Sequence, residues 1–133
     1  MNPSIASPRH VLTILAVSDL ERASRFYREA FDWSIQVDVL VYVEFETPQG
    51  LRFGVYQREA FAMNTGQAPM EVPSGSLSGT EIYFHCPDLP EAISRIEAAG
   101  ARKLSDLAPR GWGDEAAYYA DPEGNVLVLA RPL

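Results

Sequence analysis

Glu81, Tyr83 and His85 alternate along the run Glu81–Cys86, whose other members are Ile82 and Phe84. Side chains of a strand point to opposite faces in turn, so the carboxylate, phenol and imidazole share one face and Ile82 and Phe84 take the other. Such a set can counter a cation, donate hydrogen bonds or move a proton. Glu81 and His85 cannot act as a directly coupled acid–base pair, because that spacing on a strand is ~13 Å. His85 also reads as an ordinary hydrogen-bonded histidine of a core or rim. Trp112, in the loop Pro109–Gly113, brings an indole N–H, and Trp112-Gly113 reads equally well as a loop anchor with glycine for backbone freedom.

The elements that must hold these residues are repeated along the chain. Asp121-Pro122-Glu123-Gly124-Asn125 lies between two apolar runs, Trp112–Ala120 and Val126–Ala130. Proline pre-sets φ for a turn and glycine tolerates positive φ, so this is a hairpin signal with a mechanism. A weaker copy, Thr47-Pro48-Gln49-Gly50, precedes Leu51–Tyr56. His10–Val17 reads as a buried strand. Ser18-Asp19-Leu20-Glu21 follows as a capping box with Ser18 at the N-cap, and Ala23, Phe26, Tyr27, Ala30 and Phe31 form one helical stripe. Ile35–Leu40, Val41–Glu46 and Leu51–Tyr56 read as strands, and Arg58–Met63 as a helical turn or more.

The second half runs in the same order. Glu81–Cys86 is a strand, Asp88-Leu89-Pro90-Glu91 starts a helix, and Leu89, Ala92, Ile93, Ile96 and Ala99 make its stripe before Gly100. Ala101–Leu107 holds a short strand, and the closing hairpin completes the set. Module one spans 9–63, a Gly/Pro/Ser-rich linker 64–78, and module two 79–131. Each module alone would leave an apolar sheet face uncovered, so the two must pair.

Pairing Ala120 with Asn125 across the turn sets Ala117 and Tyr119 beside Val128, with Val43 and Phe45 as their repeat equivalents. The cleft so described is lined by Leu12, Ile14, Phe45, Tyr83, Tyr119 and Val128. Its polar points are Glu81, His85 and the Trp112 N–H. Apolar and aromatic walls with few oriented polar groups suit a small-molecule site. Filling of a closed core by Phe45, Tyr83 and Tyr119 is the competing reading. Tyr118 is expected to face the helices or solvent, and Cys86 to pack beside Pro87.

With 133 residues, 47% of them hydrophobic, the chain suffices for one domain with its own core. Its single cysteine excludes an internal disulfide framework and points to a reducing compartment, hence a cytoplasmic protein. A net charge of −7 without a Lys/Arg cluster argues against a nucleic-acid partner. No apolar stretch approaches the ~20 residues of a membrane span.

The order of strand, Val17-Ser18-Asp19-Leu20-Glu21-Arg22-Ala23 helix and hairpin, repeated and ending in Trp112-Gly113 through Tyr118 to Asp121-Pro122-Glu123-Gly124-Asn125, resembles the vicinal oxygen chelate superfamily. Glyoxalase I, extradiol dioxygenases and bleomycin-resistance proteins belong to it, and the likeness covers residues 10–131. The resemblance implies an α+β fold of two paired βαβββ modules, with curved mixed sheets around a cleft and helices outside. In metal-bearing members it implies four ligands, which fall here on Leu12, Gly54, Glu81 and Val128. Only Glu81 carries a donor, so no metal and no other cofactor is expected. The function implied is metal-free binding of a small aromatic or cationic compound, in the manner of bleomycin-resistance proteins. The alternative is a metal-dependent lyase or dioxygenase of the glyoxalase I type. The resemblance also implies a homodimer.

Overall fold

The computed structural model describes residues 6–133. In chain order the elements are β1 (Leu12–Val17), α1 (Leu20–Phe31), β2 (Ser34–Val39), β3 (Tyr42–Glu46), β4 (Arg52–Gln57) and α2 (Arg58–Thr65). There follow β5 (Glu81–His85), α3 (Leu89–Ala98), β6 (Arg102–Pro109), β7 (Asp114–Ala120) and β8 (Val126–Pro132). They build two four-stranded sheets of identical order, β1-β4-β3-β2 and β5-β8-β7-β6. In each, the opening strand runs parallel to the last strand of its module and the remaining pairs are antiparallel. This is the paired βαβββ architecture in α+β form. No helix of the described residues is long and apolar enough to cross a membrane.

The helices start where Asp-Leu occurs in each half. Asp19 caps α1, its carboxylate accepting from Arg22 N at 3.0 Å, and Asp88 caps α3 through Glu91 N at 3.2 Å. The expected Ser18 cap is therefore displaced by one residue. Ser18 is drawn instead to Glu123, which accepts from its backbone N at 2.8 Å and from its hydroxyl at 3.0 Å. α1 buries Ala23, Phe26, Tyr27 and Ala30, and α3 buries Leu89 and Ile96. Complete burial of a large apolar side chain contributes about 1.5–3 kcal/mol.

One face of each sheet carries its helix, and α1 packs on α3. A single core therefore serves both modules, with Val43, Phe45, Phe53 and Val55 from one sheet and Tyr119, Leu127 and Leu129 from the other. The stacked Phe31 and Trp33 rings reach Phe84 across the module boundary, at 4.8 Å from Phe31. The modules are further joined at the Asp121–Asn125 turn, where the buried Asp121 carboxylate accepts the Tyr27 hydroxyl. Burial, then the neighbouring Asp121 charge, holds the Tyr27 phenol well above its ordinary pKa.

Candidate functional site

The faces turned away from the helices carry the side chains left for chemistry. In the second sheet these are Glu81, Tyr83 and His85 of β5, Val126, Val128 and Ala130 of β8, and Asp114, Ala116 and Tyr118 of β7. The alternation read for β5 holds: Ile82 and Phe84 pack against the core. Phe45 and Tyr119 are on the opposite side from the expected cleft, being 0% and 1% exposed in the core beneath the helices.

The reason is a register shift of one residue. Ala120 pairs with Val126, not Asn125, so Tyr118 is the partner of Val128 and Tyr119 that of Leu127. Asn125 is held inside the turn, its N–H donating to Asp121 Oδ1 at 2.9 Å and its amide to Oδ2 at 2.9 Å. Moving the pairing by one position exchanges the faces of every side chain in the strand. Tyr118 thus faces away from the helices, with the Arg110 guanidinium 5.0 Å over its ring. The Tyr119 hydroxyl donates to Glu97 at 2.6 Å, and its pKa is raised by burial first and that bond second.

The structure brings Tyr83, His85 and Trp112 together around a residue that sequence reasoning missed. Tyr83 Oη donates to Asp114 Oδ2 at 2.6 Å, His85 Nε2 lies 3.0 Å from the same oxygen, and Trp112 Nε1 donates to Tyr83 Oη at 2.8 Å. The hydrogen bonds from Tyr83 and then His85 hold the Asp114 carboxyl below the usual carboxylate range. Loss of water contact, then the bond to Asp114, pushes the Tyr83 phenol up. Trp112 is 58% exposed and Tyr83 38%, so the network forms an aromatic shelf open to solution, backed by an ionised carboxylate. Asp114 was legible only as the opening residue of β7, two positions after Trp112. Glu81 lies on the same face, exposed, its carboxylate making no hydrogen bond or ion pair among the described residues. Val128 is on that face but 0% exposed, covered by its neighbours.

On the first sheet, Leu12, Ile14 and Ala16 face away from the core together with Gly54, Tyr56, Tyr42 and Glu44. Glu44 is buried, accepting from Tyr42 Oη at 2.6 Å and from Arg52 Nη1 at 3.4 Å. The Tyr42 ring lies directly over Gly54, where an added Cβ would stand 2.7 Å from Cε1. We expect Gly54→Ala to cost about 2–3 kcal/mol, because the ring must swing off Glu44 to admit a methyl group. In a Tyr42→Ala background the same change should cost under ~1 kcal/mol, a coupling measurable by urea denaturation of the four proteins. Additive costs would refute the contact.

A divalent ion is the group the fold implies, and the donor set does not fit one. Leu12, Gly54 and Val128 offer no donor atom, Tyr42 closes the space over Gly54, and Glu81 stands alone. Among the described residues no group of three or more His, Cys, Asp or Glu side chains could hold a metal ion. The one described pair of such groups in contact here, His85 and Asp114, is joined directly.

Two like-ordered modules sharing a helix-side core, each with an open face, define the vicinal oxygen chelate class of α+β proteins. The chain belongs to the glyoxalase-like domain family, whose model matches residues 10–133. Solved structures agree in fold. A glyoxalase-related enzyme from Fulvimarina pelagi is 21% identical, with 92% of this chain and 87% of that one covered at a TM-score of 0.80. A glyoxalase/bleomycin resistance protein/dioxygenase from Nocardioides is 23% identical, with 98% and 89% covered at 0.78. A lactoylglutathione lyase from Agrobacterium tumefaciens is 20% identical, with 91% of each chain covered at 0.69.

Proposed function

We propose that the protein binds a small aromatic or cationic compound without a metal, on the shelf formed by Trp112, Tyr83, His85 and Asp114. The carrying observation is the chain of hydrogen bonds from Trp112 through Tyr83 to Asp114, which fixes two exposed aromatic rings beside a carboxylate. A planar or cationic group stacks on the exposed rings, where cation–π attraction contributes about 0.5–2 kcal/mol. Asp114 balances its charge, and Glu81 adds negative charge further along the same strand face. The absence of donors at three of the four ligand positions of metal-bearing relatives supports binding rather than metal-assisted chemistry.

The test uses benzyltrimethylammonium, which carries one ring and one cation, followed by tryptophan fluorescence. Saturable binding is expected, with the signal lost in Trp112→Phe. Asp114→Asn should weaken it about 10–100-fold, the worth of interactions with a charged partner. No saturable change, or equal affinity in Asp114→Asn, would overturn the reading.

A further inference from the structure

We propose that the ligand of the shelf is an amphipathic monocation, its head at Asp114 and its apolar arm in the groove beside the free edge of β5. This rests on the shelf reading and extends it to a second region of the molecule. The groove encloses about 660 Å³, within the ~300–1,000 Å³ of small-molecule sites. Tyr83 and His85 line it as well as forming the shelf network, so the two regions meet along β5.

The groove exists because β5 ends its sheet, leaving one strand edge unpaired where module one packs against it. Its apolar wall is built from Phe31, Trp33, Leu51 and Phe84. Phe31 and Trp33 stack with centroids 4.4 Å apart and planes at 13°, presenting one flat surface rather than separate side chains. Leu51 is 39% exposed at the rim, an apolar cost in water that an arm lying on it would relieve. Asp88 and Glu91 line it as well, and the one arginine of the lining, Arg95, donates to Glu29 O at 3.3 Å. This charge pattern disfavours a fatty-acid-like anion and suits a cation or a neutral arm. Burial pushes the Cys86 thiol in the lining up, away from the reactive thiolate.

The experiment is a chain-length series of n-alkyltrimethylammonium ions, methyl to octyl, measured by displacement of benzyltrimethylammonium. Affinity should rise about fourfold per methylene and level off once the arm fills the groove. Leu51→Ser should flatten that rise while leaving tetramethylammonium affinity unchanged, which also reports an intact fold. Octanoate should not compete. A flat series, with benzyltrimethylammonium still bound and still dependent on Asp114, would overturn the groove and leave the shelf standing. Failure of benzyltrimethylammonium itself to bind would instead remove the shelf. A groove occupied by a second copy or by an added strand would give the flat series, together with Trp33 shielded from acrylamide in Trp112→Phe.

Discussion

Asp121→Ala is expected to lower folding stability by about 3–5 kcal/mol, as removal of one partner from a buried charged network does. That is a large part of the ~5–15 kcal/mol typical of a domain. The carboxylate is buried and accepts from the Tyr27 hydroxyl, Glu123 N at 2.8 Å, Asn125 N at 2.9 Å and Asn125 Nδ2 at 2.9 Å. Truncation therefore leaves a buried phenol and several amides without an acceptor, each costing about 1–3 kcal/mol where water cannot enter. It also unties α1 from the β7–β8 turn, because Tyr27 belongs to module one and Asp121 to module two. Tyr27→Phe removes a single donor and keeps the ring packed, so its cost should be nearer ~1–2 kcal/mol. Urea unfolding of both variants decides the matter. A loss below ~1 kcal/mol for Asp121→Ala would show that the turn is solvated and that the Tyr27–Asp121 contact contributes little to holding the modules together.

The Asp-Pro-Glu-Gly-Asn run was legible as a turn, yet not as the clasp between modules. Turn chemistry is local and visible in residue types, whereas its partners Ser18, Arg22 and Tyr27 lie about a hundred positions away. The duplicated strand–helix–strands order was readable because Asp19-Leu20 and Asp88-Leu89 each cap a helix before an apolar stripe. The face of β5 was readable too, since Glu81, Tyr83 and His85 alternate with two apolar residues. β7 was not. Ala116, Ala117, Tyr118, Tyr119 and Ala120 give no polar alternation, so their faces depended wholly on the turn length. Asn125 belongs to the turn through its bonds to Asp121, and that single residue put Tyr119 in the core and Tyr118 on the open face. Phe45 was misplaced by inheritance from the same pairing. Asp114 went unseen because a lone aspartate at the start of a strand-like run carries no pairing signal, and only the fold brings it to Tyr83 and His85, about thirty positions upstream.

Gly124→Ala is expected to cost about 2–4 kcal/mol and to act on the linker before it acts on the rest of the fold. Gly124 has φ +86°, and a Cβ there would stand 2.5 Å from the Ser76 carbonyl oxygen and 2.9 Å from Val72 Cγ1. The left-handed conformation costs a non-glycine residue roughly 1–2 kcal/mol, and overpacking adds about 1–3 kcal/mol. Backbone cannot step aside as a side-chain tip can. Ser76 N donates to Pro73 O at 2.9 Å, Ser78 N to Gly124 O at 2.8 Å and the Ser78 hydroxyl to Asn125 Oδ1 at 2.6 Å. The segment must therefore lift as a unit, giving a local opening well below the cost of global unfolding. Exposed Glu71 makes this measurable, since a glutamate-specific protease should cut after it about tenfold faster or more in the variant. Gly66→Ala is the control: φ is +76°, but nothing lies within 4 Å of the added Cβ, so only backbone strain should appear. Val72 and Leu77 of the same segment wall a cavity with Ile14 and Ala16 of β1, so lifting it would uncover that strand. Equal cleavage rates in Gly124→Ala and the unmodified protein would mean that the linker does not rest on the turn in solution, and that its wall over β1 opens freely.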